Sequence, residues 1–321
     1  MTQLRVTVDI FSGRPNPSVL LDDKAAGAVL ERLRPAEPLG ADEPSGPPLV
    51  LGYRGLLFEQ LGEQEPSLPG AFRLVRGRLY GEGLRHWATD RELERALLAD
   101  GGAVAIALAD ASLLATIAAE LEREHPSCRY AGTEDGPEAP KLQNCDSASP
   151  TAELPWWNDA DPNADLCRGG ASPWRCQCNN NCYNYGTNIR TDTFAQPGYG
   201  GGRPLRSLDC ASLRQAAFYD FLLDTPYAEN TCVPGRALVA GVIAPRSDFH
   251  WYRKNQDGYW THKPGKLQAT KYDDSGQPIT DPRTCNRGMY TQFCSFMVVT
   301  AGHPRISGWG PPPTSSELRL S

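Results

Sequence analysis

Apolar and polar residues alternate over Leu4–Ile10, which predicts a β-strand. The stretch after it, FSGRPNPSV from Phe11 to Val19, forms a turn, because Gly13, Pro15 and Pro17 interrupt any regular element. Asp22 or Asp23 then stands as the N-cap of a helix running to about Leu33. Strands are expected over Leu49–Phe58 and Ala71–Tyr80. Helices are expected over Asp90–Leu98 and Ala109–Glu124, where apolar residues recur at helical spacing. From Cys176 onward the pattern predicts a helix containing Cys182, a Gly-rich loop at Gly198–Gly202 and a helix over about Leu208–Leu223. Strands follow over Arg236–Ala244, Phe249–Arg253, Gly258–His262 and Phe293–Thr300. The fold class is α+β in two domains, the second a helix packed on an antiparallel sheet.

At 321 residues the chain is long enough for about two cores of roughly 100–200 residues each. Its 40% hydrophobic and 22% charged composition is that of a folded chain. The net charge of −6 divides unevenly. Residues 1–127 carry 13 basic and 19 acidic side chains, residues 128–165 carry 2 and 8, and residues 166–321 carry 17 and 11. These shifts mark an α+β docking or binding domain over 1–127, with a protein partner as its expected role. An acidic, Pro-rich linker covers 128–165, a cysteine-rich domain 166–310 and a flexible tail 311–321. A segment of net charge +6 steers anionic partners or holds the acidic parts of its own chain.

All ten cysteines follow residue 127: Cys128, Cys145, Cys167, Cys176, Cys178, Cys182, Cys210, Cys232, Cys285 and Cys294. An even count in a loop-rich segment points to disulfides in an oxidising compartment. The N-terminus lacks a basic region followed by an apolar run, so the expectation is a chain without a signal peptide, cytoplasmic by default or exported by a signal-independent route. No apolar run is long enough to span a membrane. Phosphate-loop, dinucleotide and nucleic-acid signatures are missing; GYGGGRP at Gly198–Pro204 lacks the Lys and Ser/Thr of a phosphate loop, and no nucleic-acid partner is expected.

Chemistry is expected in the last part. In RCQCNNNCYNYGTN, Asn179, Asn180 and Asn181 supply capping side chains before Cys182, and a helix N-terminus favours a thiolate. Downstream, DFHWYRKNQDGYWTHKPG carries His250 and His262 on a hairpin closed by a two-residue turn at Asp257–Gly258. His250, Tyr252 and Lys254 share one face, and Tyr252 packs near Trp260 or His262. One imidazole would take the proton of Cys182 while the other fixes its tautomer. Asp273 is the alternative acidic partner should His262 be the base.

The stretch HWYRKNQDGYWTH resembles the His strand, tight turn and second polar His strand of NlpC-like cell-wall hydrolases, a branch of the papain fold with chain order Cys, His, His. The resemblance implies a cysteine peptidase or amidase acting on peptide or peptidoglycan amide bonds. In it Cys182 is the nucleophile, His250 the base and His262 the orienting residue; from the residues themselves, the aromatic Tyr183, Tyr185, Trp251 and Trp260 are the candidates to wall a substrate groove. The FSGRPNP opening resembles a segment of bacterial proteins and implies no function.

Two other readings stand beside this one. In the first, Cys176, Cys178 and Cys182 belong to disulfides and the chain is a non-enzymatic, stapled binding or structural assembly protein whose Trp and Tyr residues carry contacts. In the second, zinc is held by some of Cys167, Cys176, Cys178 and Cys182, at a spacing without a CxxC pair. No cofactor is expected beyond a calcium candidate at Asp159, Asp161, Asn163 and Asp165, which alternate as calcium-loop ligands do but lack the loop's Gly and Glu.

Overall fold

A computed structural model of the chain describes residues 2–33, 37–38, 48, 50–81, 87–88, 90–123, 179–225, 230–255 and 257–309. The expected linker, the tail and the calcium candidate Asp159, Asp161, Asn163 and Asp165 lie outside the described residues.

The α+β class holds. β1 (Thr2–Val8) pairs antiparallel with β2 (Ser18–Leu21) and β4 (Leu56–Gly62), because its even-numbered Leu4, Val6 and Val8 point into the core. β5 (Ala71–Val75) and β6 (Arg78–Gly81) form a hairpin where one strand was expected over Ala71–Tyr80. Arg76 and Gly77 both take positive φ, 52° and 74°, which is the two-residue turn that suits twisted strands. Short β3 (Glu37–Pro38) and β7 (Trp87–Ala88) complete a seven-stranded sheet in the order β2-β1-β4-β5-β6-β7-β3.

Helix α1 (Asp23–Leu33) is capped by Asp22, whose carboxylate accepts from the Ala25 N–H at 2.8 Å. α2 (Arg91–Leu98) and α4 (Ala111–Glu122) are capped in the same way by Asp90 and Asp110. Between them, α3 (Ala103–Leu108) was not expected. Ala109, at φ 50°, ends it and separates it from α4.

The second sheet has the order β12-β11-β10-β13-β9 and every pairing is antiparallel. It comprises β9 (Leu223–Asp224), β10 (Ala237–Ala244), β11 (Asp248–Lys254), β12 (Trp260–His262) and β13 (Gln292–Val299). The hairpin between β11 and β12 pairs Tyr252 with His262 and Lys254 with Trp260. Its register leaves three positions between Asn255 and Tyr259, not the expected two, with Gly258 at φ 87°. Every residue of β10 and β11 is buried, so both faces of the sheet are covered.

One face carries α5 (Cys182–Thr187) and α6 (Cys210–Tyr219). There Cys182, Tyr183, Leu213, Ala217, Val239, Ile243, Phe249, Trp251 and Met297 form one cluster. The other face packs Leu238, Ala240, Val242, Tyr252, Trp260, Ile279, Tyr290 and Phe296. A two-stranded ladder of β8 (Phe194–Ala195) and β14 (Gly308–Trp309) lies beside the first face. The N-terminal sheet has its own cluster, yet the cores interleave: Leu51 belongs to the C-terminal cluster and Met289 packs against both.

Candidate functional site

The chemistry-bearing side chains gather where the Phe11–Pro17 turn of the first sheet meets the start of β11. Asp248 sits there fully buried. Its Oδ2 accepts from the backbone N–H groups of Ser12 at 2.7 Å and Gly13 at 3.1 Å, and its Oδ1 accepts from Arg14 at 2.9 Å. Three consecutive N–H groups around one carboxylate make an anion nest, here filled by a side chain of the same molecule. The Tyr290 hydroxyl donates to the same carboxylate at 2.5 Å. Burial raises the Asp248 carboxyl above its ordinary range even so, and raises Tyr290 well above its own, with the Asp248 charge adding to the latter.

The turn is held on its other sides as well. Asn181 and Gln196 donate to the Gly13 carbonyl at 2.6 and 2.9 Å, and Arg14 donates to the Ser247 carbonyl at 2.6 Å. From within, Asn16 accepts from the Ile10 and Phe11 N–H groups and donates to Asp9. Gly13 is required by space, since a Cβ there would lie 2.5 Å from the Phe249 ring and carbonyl.

Behind the turn, Arg54 and Arg73 grip the buried Asp9 at 2.7 and 2.8 Å. Burial alone would raise this carboxyl, but the two guanidiniums overcome it and hold it well below the usual carboxylate range. Arg54 also donates to the carbonyls of Phe11 and Gly52. A second link across the two halves is Asp274, which accepts from the Leu51 N–H at 2.7 Å and lies 3.3 Å from Arg123. Burial raises its carboxyl to about 7 against the pull of those two partners.

His250 and His262 are brought together, with His250 Nε2 3.0 Å from His262 Nδ1. The His262 Nε2–H donates to the Tyr272 carbonyl at 2.9 Å, which can only accept. His262 Nδ1 is therefore the acceptor of the His250 Nε2–H, and His250 Nδ1 is a bare acceptor with no protein partner. Both rings are fully buried. Burial, aided by His262 and Arg54, holds His250 well below its ordinary value, and burial lowers His262 to about 4. Both shifts favour the neutral imidazole. Asp273 acts against the lowering of His262, and its own carboxylate accepts from the N–H groups of Ser275, Gln277 and Asn286.

Cys182 does not join them. It begins α5, where Asn181 and Asn184 cap each other's backbone reciprocally, Asn181 accepting from Tyr183 and Asn184 N–H at 3.0 and 3.1 Å. This box, with packing on β11, holds a helix whose residues are poor helix formers. The helix lies on the sheet face of Phe249 and Trp251, and the Cys182 Sγ meets the Phe249 carbonyl at 4.0 Å. His250 is the residue between those two in the strand, is paired with Val242, and faces the opposite side. The sheet itself separates the thiol from both imidazoles. Burial, with Asp248 adding, pushes the Cys182 thiol well above its ordinary value, opposite to the thiolate expected of a nucleophile.

The expected groove walls are core instead: Tyr183, Tyr185, Trp251 and Trp260 are all buried. Tyr183 donates to Asp220 at 3.0 Å, Tyr185 shares a hydrogen bond with Thr261 at 2.7 Å, and the Trp260 indole donates to Asn230 at 3.0 Å. Tyr183, Tyr185 and Trp251 are buried because α5 lies flat against β11, which covers all six helix residues, whereas Trp260 is buried on the opposite face, stacked on Phe296.

Among the described residues, Cys210 and Cys294 form a disulfide that ties the start of α6 to β13 across 84 residues, and Cys232 is disulfide-bonded too. Cys182 and Cys285 are free thiols. No group of three or more His, Cys, Asp or Glu among the described residues is placed to hold a metal, and no described helix is long and apolar enough to cross a membrane.

No family model and no solved structure matches the chain. A curated protein does: "Insoluble matrix shell protein 1" of Ruditapes philippinarum is 46% identical over 125 residues, covering 38% of this chain and 81% of that protein. The chain belongs to the family of that shell protein. Membership at this identity carries the fold of the shared 125 residues.

Sequence reasoning missed the nest and the carboxylate that fills it. The signal was present in Asp248, an acid at the first position of a strand with no helix to cap, and in the Ser-Gly-Arg run of a Pro-rich turn.

Proposed function

We propose that the chain is a non-enzymatic, disulfide-stapled structural assembly protein of an extracellular matrix. The observation that carries this reading is the placement of Cys182 and His250 on opposite faces of a sheet whose strands β10 and β11 are wholly buried. The name of the shell-protein relative supports the same class of role. The Cys210–Cys294 disulfide supports a working place outside the reducing cytoplasm. In this reading the buried histidines, the nest around Asp248 and the Asp9–Arg54–Arg73 cluster stabilise one rigid unit, and function resides on the outer surface.

The test pairs two measurements on the full chain. Amidase activity on peptide and peptidoglycan substrates is expected to equal that of buffer, for wild type and Cys182→Ala alike. Secreted tagged protein is expected in the extracellular fraction that resists extraction until a reductant is added. An amidase activity lost in Cys182→Ala, or recovery wholly in the freely soluble fraction, overturns the reading.

A further inference from the structure

Five large hydrophobic side chains are exposed among the described residues: Leu20 at 54%, Ile106 at 68%, Tyr199 at 42%, Phe218 at 53% and Phe221 at 48%. They fall into two patches of opposite electrostatic character.

Leu20 stands on β2 and Ile106 on α3, two elements that pack against each other. Asp22 and Asp23 follow the end of β2, and Asp110 follows α3. These exposed carboxylates outnumber Lys24, and they belong to the half of the chain with net charge −6. Asp22 and Asp110 are also fixed in place, as each caps a helix.

Tyr199, Phe218 and Phe221 surround the C-terminal end of α6. The Gly198–Gly202 loop is drawn down there by the buried Asp220, which accepts from the Gly198 and Gly201 N–H groups at 2.6 and 2.8 Å. Side chains are excluded at two positions of this loop: a Cβ on Gly200 would lie 2.0 Å from the Arg305 carbonyl, and one on Gly201 2.2 Å from that of Tyr219. Arg203 lies over the Tyr219 ring at 5.0 Å and Arg305 over Phe221 at 5.6 Å. With Arg206, Ser212 and Gln215, Arg203 also lines a groove of about 140 Å³. Arg203, Arg206 and Arg305 are exposed and form no ion pair with any described residue.

We infer that the occupant of this aromatic and arginine patch is the Leu20–Ile106 patch of a second copy of the chain. The proposal rests on the assembly reading above and names its contact. An apolar pair rimmed by carboxylates matches aromatic rings rimmed by guanidiniums in apolar character and in charge. The two patches lie on different halves of one molecule, so the contact is heterologous. Each bound copy leaves one patch of each kind open, and growth continues head to tail.

Sedimentation velocity of the full chain tests this. Wild type in about 20 mM salt is expected to gain mass with concentration beyond a dimer, and to lose that gain in about 500 mM salt, where surface charges are screened. Phe218→Ser/Phe221→Ser and Leu20→Ser/Ile106→Ser, each checked for native circular dichroism, are expected to raise the concentration for half-association by roughly tenfold or more when alone. Mixed one to one, they are expected to form a heterodimer and stop, since each retains one intact partner patch. A Leu20→Ser/Ile106→Ser variant that still dimerises means the aromatic patch pairs with itself and overturns the inference. So does a wild type that stays monomeric at every concentration. A monomeric chain that nevertheless enters the extraction-resistant fraction sinks this contact and leaves the assembly reading standing.

Discussion

The ring and carbonyl of Phe249 occupy the place where a side chain on Gly13 would begin, 2.5 Å from that missing Cβ. The turn is thereby pressed onto β11 closely enough for its N–H groups to enclose Asp248. Gly13→Ala must push the turn off the strand. A loss of about 1–3 kcal/mol is expected from overpacking, with further loss as the nest opens. Urea unfolding of the variant checks it; a midpoint unchanged from wild type means the turn does not dock this way.

Asp248→Asn keeps the shape and removes the charge. One amide oxygen can still accept, but the NH₂ group then confronts a backbone N–H with nothing to give it. The expected cost is about 2–3 kcal/mol, that of an unsatisfied buried donor and a lost charged acceptor. Tyr290→Phe removes one donor only and is expected to cost about 1 kcal/mol. Equal costs in the two variants would contradict the nest as the main anchor.

Stability responds to pH through groups that act in opposite directions, of which His262 and Asp274 are two. His262 titrates near 4 when folded, below its unfolded value, so its contribution is complete above about 6.5 and is lost as pH falls towards 4. Burial lowers His250 as well, and it acts in the same direction. Asp274 titrates near 7 when folded, above its unfolded value, so its contribution is complete below about 4 and is lost as pH rises towards 7. The two partly cancel between pH 4 and 6.5. Asp274→Asn removes the opposing contribution, and the variant's unfolding free energy is expected to fall more steeply than that of wild type as pH is lowered from about 6.5 to 4. A flatter profile would mean that Asp274 is not protonated in the folded chain at neutral pH.

The disulfide gives the fourth prediction. Cys210→Ser/Cys294→Ser frees a closed loop of 84 residues in the unfolded chain and is expected to cost about 4–5 kcal/mol by the chain-entropy argument. A melting temperature within a degree or two of wild type would show that the sheet and α6 hold without it.

Much of the fold was readable because its signals are local. Asp22, Asp90 and Asp110 announce three helices by capping chemistry, and Leu4, Val6 and Val8 announce the face of β1 by alternation. The Arg76–Gly77 turn hid inside an apolar run, because only the positive φ of both residues reveals it. The site was legible in part. That His250 and Tyr252 share a face and approach His262 follows from the hairpin, and the ring distances of 5.0 and 5.1 Å bear it out. Which face α5 would cover was not readable. β11 is buried on both sides, so apolar residues alternate with apolar or paired residues and the period-two label that distinguishes inside from outside is erased. The partner of Asp248 lies 234 to 236 residues away in sequence, and no local pattern joins them.

The central claim is that the Cys182 thiol is protonated and walled off from imidazole by the sheet. The rate of iodoacetamide labelling at Cys182 in the native chain at pH 7, read by mass spectrometry against the denatured chain, tests it most directly. A native rate at least about a hundredfold below the denatured one is expected, since labelling must wait for local opening worth more than about 2.7 kcal/mol. A native rate above the denatured one, abolished by His250→Ala, would contradict the account.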